Sequence, residues 1–340
     1  MGTKLLSVAI PSYNAEAYMA NAIESLLPGG DEVEIMVVDD GSKDRTAEIA
    51  DEFERKYPGI VRAIHQENAG HGGAVMAGLR NATGLYFKVI DSDDWADKEA
   101  YPKVLETLRG FSAPEKQIDM LISNYIYDKV GVEHKHVVRY RGALPVGQVF
   151  GWDEARHFRK GQYILMHSVI YNTDMLKKSG MELPLHTFYV DELYVYAPLR
   201  DVKRMYYLDV DFYHYFIGRD DQSVQEQVMI RRIDQALKVN RMLVEAADPY
   251  AVENVHLRDY MINYLEIVTT VSSVLLLKAG TPEHLQKKEE LWAFIEKTNP
   301  RLYQTLRRRI LGRILHLPGR LGRGIAIGGY KIAQKIFGFN

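Results

Sequence analysis

Short apolar runs of strand length recur in the first part of the chain: Leu5 to Ile10, Glu34 to Val38, Val61 to Gln66 and Tyr86 to Ile90, all partly β-branched. Between them apolar residues return at helical spacing. Ala17 to Leu27 places Met19, Ala22, Ile23 and Leu26 on one face, Thr46 to Tyr57 does so with Ile49, Ala50 and Phe53, and Gly73 to Ala82 supplies a third helix. Ser42 or Asp44 caps the second helix and Pro58-Gly59 ends it. This rhythm predicts right-handed βαβ units and a parallel sheet, with ligands gathered at the carboxyl ends of the strands.

From about Tyr101 the pattern is mixed. Met120 to Tyr127 and Tyr206 to Phe216 read as strands, the latter alternating Leu208, Val210 and Phe212 with Asp209, Asp211 and Tyr213. Gln222 to Ala247 is helical by the spacing of Met229, Ile233, Leu237 and Val244, and Leu257 to Leu277 is a more apolar helix. The expected class is α/β, a mainly parallel mixed sheet with flanking helices and a C-terminal helical region. The expected domains are 1–220, split into a nucleotide-binding half (1–100) and an acceptor half (101–220), a helical extension (221–300) and a basic amphipathic tail (301–340).

The chain has 340 residues, 46% of them hydrophobic, enough for a real core and about two domains. It has no cysteine, which excludes disulfide scaffolds, thiolate metal sites and cysteine nucleophiles and fits a reducing compartment. The longest weakly polar stretch, Val268 to Leu277, is far shorter than the ~20 residues of a bilayer span, so no transmembrane helix is predicted. The N-terminus reads as a first strand rather than a signal peptide, and the mature chain is expected to start near Met1. Net charge is −2, but residues 301–340 hold nine Lys or Arg and no acid, which leaves −11 on the first 300 residues. The tail is a separate electrostatic object.

The polar clusters sit at the strand ends: Ser12, Tyr13 and Asn14 after the first, Asp39, Asp40, Gly41 and Ser42 after the second, and Asp91, Ser92, Asp93 and Asp94 after the fourth. Asp91 and Asp93, one residue apart, are costly to hold together unless a hard cation neutralises them, and such an ion would also hold a diphosphate. An isolated pair of this kind more often caps a loop. Its position after a strand of a nucleotide-type sheet reverses that preference.

These residues resemble the nucleotide-binding half of family 2 glycosyltransferases of the GT-A fold. The matching motifs are Ser7-Val8-Ala9-Ile10-Pro11-Ser12-Tyr13-Asn14, Val37-Val38-Asp39-Asp40-Gly41-Ser42 with Asp44 and Thr46, Asn68-Ala69-Gly70, and Asp91-Ser92-Asp93-Asp94-Trp95. The resemblance implies that Pro11 and Tyr13 pack against the base, with Asn14, Asp39, Asn68 and Ser92 around the nucleotide. It implies that Asp40 accepts from the base imide, Asp91 touches the ribose and Asp93 binds Mg2+ or Mn2+. Trp95 lines the sugar pocket or serves as core. The run Asn68-Ala69-Gly70-His71-Gly72-Gly73 departs from the common pattern and looks like the glycine-rich version of polyprenyl-phosphate sugar transferases. Gly72 and Gly73 there admit a close ligand or make a tight loop.

Inverting transfer needs a base opposite the leaving diphosphate. Phe188-Tyr189-Val190-Asp191-Glu192-Leu193 looks like the family's catalytic acidic segment, with Val190 where Glu is common, so Asp191 is the expected base and Glu192 the alternate. Arg219, Gln222 and Ser223 resemble the segment that closes over donor or acceptor. Arg219 then neutralises the diphosphate or forms a surface ion pair. His167 and His214 are candidate acceptor or metal contacts, His167 placed with the diphosphate group and His214 with the metal.

The expected activity is inverting transfer of a hexosyl or N-acetylhexosaminyl group from a nucleotide-diphosphate donor, a UDP-sugar, to a glycan or lipid-linked acceptor in cell-surface polysaccharide synthesis. The expected place is the cytoplasm, peripheral at the inner face of the membrane. The tail fits an anionic membrane surface at roughly 1 kcal/mol per basic residue. Nucleic acid, which also attracts such a charge run, is not expected, because the resembling family commonly acts on membrane-bound carriers. A homodimer through the helices after Gln222 is a further expectation. Two rivals stay open. A sugar-1-phosphate nucleotidyltransferase would carry an N-terminal glycine-rich loop with Arg and Lys, which Leu5 to Asn14 lacks, and a non-catalytic nucleotide-sugar-binding or membrane scaffold protein would have no need of Asp91, Asp93 and Asp191 together.

Overall fold

The computed structural model describes residues 4–129, 131–132, 135–158, 162–218 and 225–337. The chain divides into two compact units, Met1–Arg156 with Ile164–Gly218, and His157–Tyr163 with Arg219–Asn340. The segment 157–163, expected in the acceptor half, thus groups with the helical unit.

Among the described residues the first unit is built on ten strands: β1 (Leu6–Ser12), β2 (Val33–Asp39), β3 (Val61–His65), β4 (Tyr86–Val89), β5 (Trp95–Ala96), β6 (Met120–Lys129), β7 (His136–Val138), β8 (Val149–Phe150), β9 (Val169–Asn172) and β10 (Met205–Ile217). They form one sheet in the order β3-β2-β1-β4-β9-β6-β10-β5, with β7 beside β6 and β8 beside β10. β3, β2, β1 and β4 are parallel, as the alternation predicts. β9 then runs antiparallel to both its neighbours, and β6 and β10 are again parallel to each other.

Helices α1 (Met19–Leu26), α2 (Thr46–Lys56), α3 (Gly70–Asn81), α4 (Tyr101–Gly110), α5 (Thr173–Lys178) and α6 (Asp191–Tyr196) complete the unit. Both β1 and β2 are buried along their whole length, which is why they read as near-continuous apolar runs. Leu6, Val8, Ile10, Val33, Ile35 and Val37 share one core with Met19 and Ile23 of α1 and Val104 and Leu108 of α4. Val38 packs with Ala74 and Ala77 of α3. α3 lies so close to the sheet that a Cβ on Gly78 would stand 2.5 Å from that of Ala9. The N-cap of α2 is Arg45, without a side-chain cap bond, rather than the expected Ser42 or Asp44; Asp44, one residue before it, accepts from the Thr46 amide at 3.0 Å.

The second unit is helical: α7 (Glu226–Arg231), α8 (Ile233–Ala246), α9 (Val255–Ala279), α10 (Pro282–Thr298), α11 (Pro300–Arg308), α12 (Ile310–Leu315) and α13 (Gly319–Phe337). The single helix expected to end at Ala247 is broken at Arg232, whose ψ of 19° leaves the helical region. α9 is long and apolar enough to cross a membrane by length and composition, yet 72% of that stretch is buried inside the protein. Tyr260, Leu265, Val268 and Leu276 are its core contribution. Asn254 caps its start and Gly280, at φ 66°, ends it. The basic amphipathic tail is largely helical, from α11 to α13. Leu302, Leu306, Leu315 and Ala326 are buried, and the Arg309 guanidinium donates to Glu266 at 2.8 Å and Asn263 at 2.6 Å.

Candidate functional site

The carboxyl ends of β1, β2 and β4 form one rim, and its first acidic pair lies after β2. Asp40 is 2% exposed. Its carboxylate accepts from the Gln66 amide (2.7 Å) and from the backbone N–H of Ala69 (2.7 Å) and Gly70 (2.8 Å), while Asn68 donates to its carbonyl at 2.8 Å. The Asp40 carboxylate, expected to meet a base imide, thus takes three protein donors and anchors the start of α3. Asp39 accepts from the Ser42 amide at 3.1 Å and meets His65 Nδ1 at 3.2 Å, and His65 Nε2 meets Asp51 at 3.0 Å. Burial works against the His65 proton, but the Asp51 and Asp39 carboxylates outweigh it and raise its affinity.

After β4 the acids meet fewer donors and more charge. Asp91 Oδ1 stands 2.7 Å from His71 Nε2 on the first turn of α3. Burial opposes ionisation of Asp91, but the His71 charge and hydrogen bond prevail and hold it below the ordinary carboxylate range. Asp94 is fully buried. Burial first, and then the charges of Asp93 and Asp91, push its carboxyl far up, although the Tyr213 hydroxyl and the Phe216 amide (2.8 Å) both donate to it. His167, in the turn Met166–Ser168, is 7% exposed, its Nδ1 has no hydrogen-bond partner, and burial pushes its proton affinity down to about 4. It lies against Tyr215 at 4.5 Å and Tyr213 at 4.8 Å.

Asp91, Asp94 and His167 bring one ligand atom each within 4.8 Å of one another. Two carboxyl groups, one of them raised by burial and by its acidic neighbours, and an orphaned imidazole nitrogen are a donor set that fits a divalent cation. Among the described residues Asp93, expected as the ligand, lies outside this group, though His71 and Asp94 feel its charge. His214 is corrected more fully. Its ring nitrogens meet Asp128 at 2.9 Å and Asp97 at 3.2 Å, so neither is left for a metal, and the ring stacks on Trp95 at 5.0 Å. That stacking places Trp95 half-buried on β5.

Lys88, which sequence reasoning missed inside an apolar run, is fully buried beneath this cluster. Its ammonium donates to the carbonyls of Met166 (3.0 Å) and His167 (2.6 Å) and sits 4.8 Å over the Tyr213 ring; burial pulls its affinity down to about 7. His71 was missed too, because its partner is supplied by another strand.

The candidate base reaches the cluster through a strained segment. His186 (φ 49°) and Tyr189 (φ 66°) occupy the left-handed region, which non-glycine residues adopt at a cost. The His186 amide donates to the Ala69 carbonyl at 2.8 Å. A Cβ on Gly70 would stand 2.8 Å from the His186 backbone, and one on Gly72 2.8 Å from the Pro184 carbonyl and 3.5 Å from Val190. Gly72 thus faces protein, and the expected ligand approach there is corrected to helix–loop packing. Asp191 and Glu192 open α6. Burial raises the Asp191 carboxyl, His71 pulls it back and the Asp91 charge adds to the rise. Burial and then Asp191 push Glu192 higher still.

Pro11 is buried within β1, whereas Tyr13 is 51% exposed at its end. Asn14, at φ 49°, accepts from the Lys43 amide at 2.9 Å and so ties the first rim loop to the second. Asn68 is exposed and Ser92 half-buried. Arg219, Gln222 and Ser223 lie outside the described residues.

A family model, glycosyl transferase family 2, matches residues 7–136. EpsH of Bacillus subtilis (strain 168), a glycosyltransferase by its name, is 25% identical over 82% of this chain and 78% of its own. YibD of Escherichia coli (strain K12), an uncharacterized glycosyltransferase, is 29% identical over 73% of each. The crystal structure of S. aureus TarS 1–349 in complex with UDP-GlcNAc superposes with a TM-score of 0.66 over 98% of this chain and 91% of that one, at 19% identity.

Proposed function

The chain belongs to the family 2 glycosyltransferases of the GT-A fold, and from that premise we propose an inverting transfer from a UDP-sugar in which Asp191 is the base. The observation that carries it is that the loop before Asp191 packs on the first turn of α3, through His186 on Ala69 and Val190 beside Gly72, so that Asp191 feels the charges of His71 and Asp91 while burial raises its carboxyl. Tyr13 and Asp39 face the nucleotide. Asp91, Asp94 and His167 would hold Mg2+ or Mn2+, which when bound supplies the positive charge a departing diphosphate needs. The acceptor hydroxyl attacks the anomeric carbon in line, the bond to the diphosphate breaks, and the hydroxyl proton passes to the Asp191 carboxylate. His71 pairs with Asp91 and keeps it ionised beside that base.

The acceptor we infer is a glycan or lipid-linked sugar of a surface polysaccharide, reached from the cytoplasmic face of the membrane with residues 301–340 toward the lipid. A homodimer through the helical unit belongs to the same reading. The test is Asp191→Asn. Transfer and donor hydrolysis are expected to fall by about 10²–10⁴-fold, while UDP with Mn2+ still raises the melting temperature. Unchanged turnover would remove Asp191 from the mechanism.

A further inference from the structure

We propose that Lys88 is a positioning residue for the divalent cation, holding Asp91, Asp94 and His167 in register from beneath. A lysine in the middle of a sheet is costly unless its ammonium hydrogens find acceptors. Lys88 is fully buried on β4, whose other members are Tyr86, Phe87 and Val89. Two of its three hydrogens go to the carbonyls of Met166 (3.0 Å) and His167 (2.6 Å), and the ammonium lies 4.8 Å over the Tyr213 ring. Each contact leads to a different ligand of the ion. The two carbonyls belong to the turn that carries His167, whose ring is set against Tyr213 and Tyr215. The Tyr213 hydroxyl donates to the Asp94 carboxylate and accepts from the Asp91 amide at 3.2 Å. Asp91 itself follows Lys88 by three residues. One side chain thus ties β4, the turn before β9 and β10 to the same cluster.

A simpler role, in which Lys88 only stabilises the core, makes a different demand on the ion. An ammonium close enough to feel the charges of Asp91 and Asp94 repels a second cation placed between them. Removing a lysine that acts only through its charge or its packing therefore leaves Mn2+ affinity unchanged or tightens it. Removing one that aims the ligand atoms loosens it. The sign of the change separates the two roles. Groups that orient metal ligands from the outer shell contribute about 10–100-fold in affinity, and backbone carbonyls held by a buried donor orient their own residue's side chain in the same way. This role rests on the reading of Asp91, Asp94 and His167 as the ion's ligands.

The test is titration of the full chain with Mn2+ in the presence of UDP, the free ion being read by electron paramagnetic resonance well below the melting temperature of each variant. K88M fills the space without a donor, and K88Q keeps a donor for one carbonyl. The Mn2+ dissociation constant is expected to rise by about tenfold or more in K88M and by a smaller factor in K88Q. Donor hydrolysis is expected to fall at low Mn2+ and to recover in part as Mn2+ is raised, which a loss of stability alone would not produce. Should K88M fail to fold, K88Q carries the same comparison. Mn2+ affinity equal to or tighter than that of the wild type in the folded variants would overturn the positioning role and leave the ligand set standing. Failure of the wild type to bind Mn2+ would overturn the ligand set and this role with it, while Asp191 as the base is decided separately by D191N.

Discussion

After β2, Asp39 and Asp40 are met by hydrogen-bond donors; after β4, Asp91 is held down by the charge of His71, and Asp94 is pushed up by burial and by the charges of Asp93 and Asp91. Both pairs end a buried parallel strand on the same rim, and each has a histidine, His65 on Asp39 and His71 on Asp91. Yet Asp40 takes three hydrogen bonds and is closed off, while Asp94 is forced up by its neighbours and His167 Nδ1 beside it is left without a partner. A saturated carboxylate organises backbone. An unsaturated acidic cluster retains capacity for a ligand. What distinguishes the pairs is the loop delivered to each: the amides of Ala69 and Gly70 come to β2, and the turn Met166–Ser168 comes to β4.

The largest expected break in this comparison is Asp40→Ala. It strands two backbone N–H groups and the Gln66 amide in a buried place, and unpaired buried donors cost about 1–3 kcal/mol each. The expected loss is about 3–5 kcal/mol, a melting temperature lower by roughly 10 °C. Asp91→Asn, by contrast, is expected to abolish transfer with little loss of stability. Urea denaturation and a donor-hydrolysis assay on the two variants decide it, and a stable Asp40→Ala chain that no longer binds UDP would restore Asp40 to the base.

Much of this was legible in the sequence. The four parallel strands follow from their apolar runs, and the acids at their ends from the rule that ligands gather there. The use of each acid was not legible, because it depends on donors far away in the chain. His167 reaches Asp91 and Asp94 from a short turn across the sheet, and Lys88 holds that turn by its carbonyls while sitting in a strand whose other members are apolar. Periodicity carries no signal for such a lysine. His214 misled for the same reason: its two carboxylate partners, Asp97 and Asp128, are distant in sequence.

The second expected effect tests whether the structural rim positions the catalytic one. Asp40 anchors the first turn of α3, and Gly72 in that turn packs against Pro184 and Val190, just before Asp191. In Gly72→Ala the new Cβ would stand 2.8 Å from the Pro184 carbonyl, so the loop must move. Overpacking of this kind costs about 1–3 kcal/mol. Turnover is expected to fall while the KM for donor stays nearly unchanged, since Asp191 is displaced and the nucleotide contacts are not. Loss of donor affinity with unchanged turnover would return Gly72 to the ligand side.

The smallest effect concerns His65, whose imidazole bridges Asp39 and Asp51 with its side chain 44% exposed. Burial opposes its proton, and the two carboxylates raise its affinity above the ordinary value of 6.5. A raised histidine binds its proton more tightly in the folded chain, so the stabilisation is complete below pH 6.5 and is lost as pH rises through the folded value. Solvent screening at this exposure limits it to a few tenths of a kcal/mol. His65→Gln is therefore expected to flatten the fall in stability just above pH 6.5 without touching turnover, measured by urea denaturation across that range. A wild type whose stability rises there relative to the variant would mean that the pair does not hold in solution, and that Asp39, free of its clamp, is the more exposed of the two acids to an incoming nucleotide.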